Sequence, residues 1–123
     1  MNAVSIIGAG SFFVVIFVSG YWLSRSGKPY NVIVLTVHKL ISLAAVVFLV
    51  ITMVQSNRVA TLSAMELVAG VVTGLFFLGL MATGGLLSSD KQMPAVVLRL
   101  HRIAPYLTVL AAAATLYLLQ SRR

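Results

Sequence analysis

Long apolar runs alternate with short polar links along this chain. The runs cover residues 3–23, 31–54, 62–87 and 95–119, and the links cover 24–30, 55–61 and 88–94. Each run holds roughly 20 to 26 residues, enough to cross a hydrocarbon core of about 30 Å as an α-helix. Helix is the form open to such a run, because a span in lipid has to satisfy its own backbone groups. Short links make neighbouring helices antiparallel, and none has room for a soluble domain. The pattern predicts an all-α membrane protein, a four-transmembrane-helix bundle forming one domain over residues 1–123.

Composition sharpens this picture. Of the 123 residues, 60% are hydrophobic and 9% charged, against about 25% charged in a soluble domain. The partner this implies is the lipid bilayer. The first 23 residues lack a basic n-region and end in Gly20-Tyr21-Trp22-Leu23, so they read as a retained span and not as a cleaved signal. Cysteine is absent, which excludes disulfides, thiolate metal sites and thiol catalysis. The net charge of +7 is scattered, with no basic run. It fits topology signals and anionic head groups, and nucleic acid is not an expected partner.

The spans also repeat. The first carries Phe12-Phe13, Ser19-Gly20 and Leu23-Ser24, and the third carries Phe76-Phe77, Thr83-Gly84 and Leu87-Ser88, at an offset of 64 throughout. The second and fourth carry Val-His38-Lys39-Leu and Leu-His101-Arg102-Ile, at an offset of 63, each behind a proline, Pro29 or Pro94. Helices one and two therefore read as a two-helix unit repeated in tandem as helices three and four. A unit that crosses twice returns to its starting side, so its copy is parallel to it. The pseudo-twofold axis then lies along the membrane normal. Both histidines fall roughly 10 Å inside the same boundary.

Ionisable residues at that depth are costly and mark function. A bare metal is a poor occupant, since zinc takes about three or four protein ligands and no acidic residue lies at that depth: Asp90 is in a loop and Glu66 opens the third span on the other side. Haem needs only axial ligands from the protein, and two imidazoles would fill both axial positions, favouring electron transfer over oxygen activation. The candidate metal ligands are His38 and His101. Lys39, Arg99 and Arg102 are candidate partners for the haem propionates, although Arg99 stands about 200° around the helix from His101 and snorkelling is its alternative role. Gly20 and Gly84 would let a flat group or a neighbouring helix approach the backbone. Pro105 removes the helical donor to the His101 carbonyl and predicts a kink. No catalytic residue is assigned.

Four helices with histidines at matching depth on the second and fourth resemble membrane-bound b-type cytochromes, among them the b561-like cytochromes and the cytochrome b membrane anchors of respiratory enzymes. The resemblance rests on architecture and the two histidines. It implies one haem b per chain, held between helices two and four, and electron exchange with quinone or with partner redox subunits. It implies an electron carrier, or a subunit of a membrane oxidoreductase, in the cytoplasmic membrane of a bacterium or archaeon. The two-haem members need four histidines and this chain has two.

Other readings stay open. The histidines would also serve as packing residues in a cofactor-free accessory subunit. Small multidrug transporters are four-helix chains too, but they depend on a glutamate in the first helix, which this chain lacks. Glu66 reads as an interfacial carboxylate at a helix N-terminus, with proton relay or quinone contact as the alternative. Tyr106 either hydrogen-bonds a neighbour or borders a quinone site. Gly70 and Gly74 form a GxxxG pattern, read as packing inside the bundle in preference to a homo-oligomer interface. Tyr21, Trp22 and Tyr30 make an aromatic belt on the histidine side. Arg25, Lys28 and Lys91 in the loops there balance Arg58, Arg122 and Arg123 opposite. Adding Lys39, Arg99 and Arg102 favours the histidine side as cytoplasmic, with both termini outside.

Overall fold

The computed structural model describes residues 3–122 as four helices: α1 Ala3–Ser26, α2 Val32–Val59, α3 Ala64–Leu87 and α4 Ala95–Ser121. All four are long and apolar enough to cross a membrane. The chain is an integral-membrane, all-α four-helix bundle. Arg123, counted above in the charge balance, lies outside the described residues.

The helix ends differ from the apolar runs where local chemistry overrides hydrophobicity. Asn31 is the cap of α2 and not its first residue: its side chain accepts from the backbone N–H groups of Ile33 and Val34 at 2.9 and 3.1 Å. Such a cap satisfies two of the four orphan donors at a helix start. Helix α3 likewise begins after Ser63, which forms a reciprocal capping box with Glu66. At the other ends, α1 continues to Ser26 and α2 through Gln55-Ser56-Asn57-Arg58 to Val59. Polar residues do not break a helix; they only mark where it leaves the hydrocarbon. What stops α1 is Gly27, at φ 66°, the left-handed geometry that glycine supplies at a helix C-terminus. With α2 starting at Val32, His38 and His101 are each the seventh residue of their helix. Helix α4 runs uninterrupted through Pro105.

Packing is closer within the pairs α1–α2 and α3–α4 than between them, as repetition of a two-helix unit would give. Small residues make the close approach possible: Ala9 and Ala45 are buried in the first pair and Ala112 in the second. Large apolar side chains cover the outside, among them Val14, Val18, Leu75 and Leu110, which is the expected exterior where the solvent is lipid. Between the pairs, Phe13 and Phe77 stack with ring centroids 5.8 Å apart. Gly70 packs inside the bundle, where a Cβ would strike Met53 of α2, whereas a Cβ at Gly74 would meet nothing within 4 Å.

The second pair carries a polar seam. Thr73, Thr108 and Thr115 are fully buried. Each hydroxyl lies within hydrogen-bond distance of the carbonyl one turn earlier, and Thr73 and Thr115 meet at 3.0 Å, where one hydroxyl donates to the other. One heptad beyond Thr115, Arg122 closes the far end of the bundle. Its guanidinium donates to the carbonyls of Ser56, Ala60 and Thr61 and approaches Glu66 Oε1 at 3.4 Å. Glu66 Oε2 accepts from the Ser63 backbone N–H at 2.7 Å. The one acidic residue of the spans is thus a helix cap and an ion-pair partner for the end of α4.

Glu66→Gln keeps a capping side chain at the third helical position but loses the charge opposite Arg122, whereas Glu66→Ala loses both. Thermal unfolding in detergent, followed by circular dichroism, is expected to show Glu66→Ala the less stable of the two, by about 1 kcal/mol for the lost cap. Equal midpoints would show that the cap contributes nothing.

Candidate functional site

The histidines enter the bundle from α2 and α4, which run parallel because one complete helix lies between them. Their rings line a common cavity of about 670 Å³ between the pairs, within the roughly 300–1,000 Å³ range of ligand pockets. Ring centroids are 6.5 Å apart and the planes cross at 69°. The walls are mostly apolar, with Ile16, Phe17, Leu80 and Met81 among them. Tyr106 lines the cavity beside Phe17, ring centroids 5.9 Å apart, while 66% of its surface stays exposed.

Each imidazole is seated by the partner helix of its own pair. A Cβ on Gly20 would stand 3.1 Å from His38 Cε1, and one on Gly84 would stand 3.1 Å from His101 Cε1. The two glycines also line the cavity, but the flat group they admit to the backbone is the imidazole of the same pair. The residue before each glycine then meets the ring edge: Ser19 Oγ lies 2.9 Å from His38 Nδ1, and Thr83 Oγ1 lies 2.8 Å from His101 Nδ1. In sequence these two residues were visible only as repeat markers. Matched placement immediately ahead of the two glycines was the available signal, but it does not reveal which neighbouring helix they face.

The cations after the histidines reach across the boundary between the pairs. Lys39 Nζ donates to Ser88 Oγ at 2.9 Å, and Arg102 Nη2 donates to Ser24 Oγ at 2.9 Å. The two contacts are reciprocal, because Ser24 and Ser88 are repeat positions and so are Lys39 and Arg102. Lys28 Nζ adds a bond to the Ser89 carbonyl at 2.9 Å. Lys39 and Arg102 line the cavity; Arg99 is exposed and is not among the lining residues. No acidic residue occupies the first turn of α2 or α4. Their positive dipole ends therefore reinforce a rim that favours anions.

Position four after each histidine differs between the halves. Ser42 Oγ donates to the His38 carbonyl at 2.7 Å, whereas Pro105 has no N–H for the His101 carbonyl. Among the described residues, no three His, Asp or Glu side chains cluster as a metal-binding group. Comparison of the chain with protein-family models, curated proteins and solved structures gives no match.

The glycine contacts set up a signed comparison. Alanine at Gly79, where a Cβ meets nothing within 4 Å, should raise thermal stability by up to about 1 kcal/mol through helix propensity. The same substitution at Gly20 or Gly84 presses on an imidazole and should lower it. Equal gains at all three positions, read from unfolding midpoints, would show that the rings do not depend on the glycines.

Proposed function

We propose that this chain is an integral-membrane electron-transfer protein that holds one haem b between α2 and α4, with His38 and His101 as axial ligands. The observation that carries the reading is the spacing of the two rings. Iron between two imidazoles needs centroids roughly 6 Å apart, from two metal–nitrogen bonds of about 2 Å plus the half-width of each ring. The observed separation is 6.5 Å. Bound there, haem would supply one-electron transfer without an open coordination position.

The surrounding residues suit that group. Gly20 and Gly84 hold the imidazoles against α1 and α3, and the apolar walls exclude water. Lys39 and Arg102 stand at the rim, where exchanging a serine hydroxyl for a propionate would turn a neutral acceptor into a charged one. The links between helices hold only residues 27–31, 60–63 and 88–94, too few for a substrate domain. Electrons therefore pass to or from quinone or a partner redox subunit. Counting Lys39, Arg99 and Arg102 with the loop cations favours the histidine side as the cytoplasmic one, and the membrane proposed is that of a bacterium or archaeon. The reciprocal contacts Lys39–Ser88 and Arg102–Ser24, with Phe13 on Phe77 and His38 facing His101, support tandem two-helix repeats about a pseudo-twofold axis along the membrane normal.

One observation favours a cofactor-free accessory subunit instead: each imidazole already has a hydroxyl partner on the adjacent helix. A transporter driven by Glu66 is disfavoured, because that carboxylate is engaged by the Ser63 N–H and Arg122. The visible spectrum of protein purified from haem-replete cells separates the first two readings. A sharp Soret band with a stoichiometry of one haem is expected, abolished by either His38→Ala or His101→Ala. Absence of the band after incubation with excess haem would falsify the electron-carrier reading, and normal assembly of the double alanine variant would then favour the accessory role.

A further inference from the structure

We infer that Ser19 and Thr83 are positioning residues that lock both histidines as the Nδ1–H tautomer, leaving each Nε2 as the bare, ligating nitrogen. The inference deepens the haem reading and rests on it for its functional meaning. Its structural content, the tautomer, holds or fails independently of haem.

The argument is a count of protons. A serine or threonine hydroxyl carries one hydrogen. Ser19 Oγ lies 2.7 Å from the Val15 carbonyl oxygen and 3.1 Å from that of Ile16. Thr83 Oγ1 lies 2.9 Å from the Gly79 carbonyl oxygen and 3.1 Å from that of Leu80. Carbonyl oxygens only accept, and with two of them within 3.1 Å of each hydroxyl the hydrogen is drawn back into its own helix. The hydroxyl oxygen then has lone pairs, and no proton, to offer the ring nitrogen 2.9 or 2.8 Å away. A hydrogen must lie between oxygen and nitrogen, and only the ring can supply it. Both Nδ1 atoms are donors, and in a neutral imidazole the other nitrogen is then the acceptor.

The reverse arrangement would turn the hydroxyl proton toward Nδ1 and leave oxygen lone pairs facing carbonyl lone pairs at 2.7 Å in the first half. In lipid no water relieves that repulsion. Each hydroxyl is thus a relay whose orientation comes from the backbone of α1 or α3. The same device occurs twice with different residues, serine in one half and threonine in the other. The hydroxyl is therefore what the two positions share.

A histidine that binds a metal through one nitrogen is usually oriented through the other, and losing that outer partner costs about 10- to 100-fold in metal affinity. Here the outer acceptor is a neutral hydroxyl on both sides, so both ligands stay neutral and similarly basic.

The chain has two histidines, so nitrogen NMR of histidine-labelled, haem-free full-length protein in nanodiscs resolves the four ring nitrogens. At about pH 8, where imidazole is ordinarily neutral, both residues are expected to show a protonated Nδ1 and an unprotonated Nε2. Ser19→Ala should redistribute the His38 tautomers alone, and Thr83→Ala those of His101 alone. The exchanges Ser19→Thr and Thr83→Ser should restore the wild-type pattern. In haem-loaded protein, each alanine variant should lower haem affinity about 10- to 100-fold and raise the midpoint potential, since a less polarised N–H makes a weaker electron donor. Protonated Nε2 in the wild type, or tautomers indifferent to both alanine substitutions, overturns the inference. Failure of the wild type to take up haem, with the expected tautomers in place, overturns the haem reading and leaves the hydroxyl relay standing.

Discussion

Hydrocarbon offers no hydrogen bond, so a polar group inside it must be satisfied by the chain or carry the cost of desolvation. That constraint orders nearly everything in this bundle. It makes the four runs helical. It sends the hydroxyls of Ser11, Thr52 and Thr108 back to carbonyls one turn earlier and pairs Thr73 with Thr115. It also explains why the imidazoles lie against hydroxyl-bearing helices. No buried side-chain nitrogen or oxygen among the described residues lacks a partner. Within the spans, satisfaction is drawn mostly from the same helix or its hairpin neighbour, while the bonds between the pairs, such as Lys39–Ser88 and Arg122–Ser56, lie toward the ends.

The pairs are similar without being equal. Thr73 and Thr115 meet in the second pair, while the corresponding positions in the first hold Ala9 and Thr52. The first pair instead sets Phe12 edge-on against Phe48, centroids 5.5 Å apart. Ser42 and Pro105 take opposite approaches to the carbonyl of the histidine one turn earlier. The two pairs match in what lines the cavity (histidine, following cation, glycine, hydroxyl) and differ elsewhere.

Much of this was legible in the sequence. Long apolar runs give four helices whatever their packing, and span parity alone makes α2 and α4 parallel. The repeat offsets brought His38 and His101, and Gly20 and Gly84, into correspondence before any coordinates. Less legible was what faces what. The glycines were expected to admit a ligand or a helix, and it is the histidine rings that lie on them. Arg99 sits two residues from a histidine and still points away, because two residues carry a side chain about 200° around a helix. Helix ends were missed where a single side chain decides them: Asn31 and Ser63 as caps, Gly27 as a stop. The role of Glu66 depended on Arg122, more than fifty residues distant, which no local pattern connects to it.

The looser packing between the pairs and the histidine cavity occupy the same seam. Each pair is held together along its length, whereas the pairs meet more sparsely, through aromatic stacking, the approach of Met53 to Gly70 and a few polar contacts toward the ends. A ligand bridging His38 and His101 would therefore join two halves that little else joins. Occupancy and cohesion become one linked equilibrium: filling the seam draws the halves together, and loosening the halves releases what fills it. With such a ligand in place the single chain would behave as a dimer whose subunits share a covalent tether and meet around a common guest.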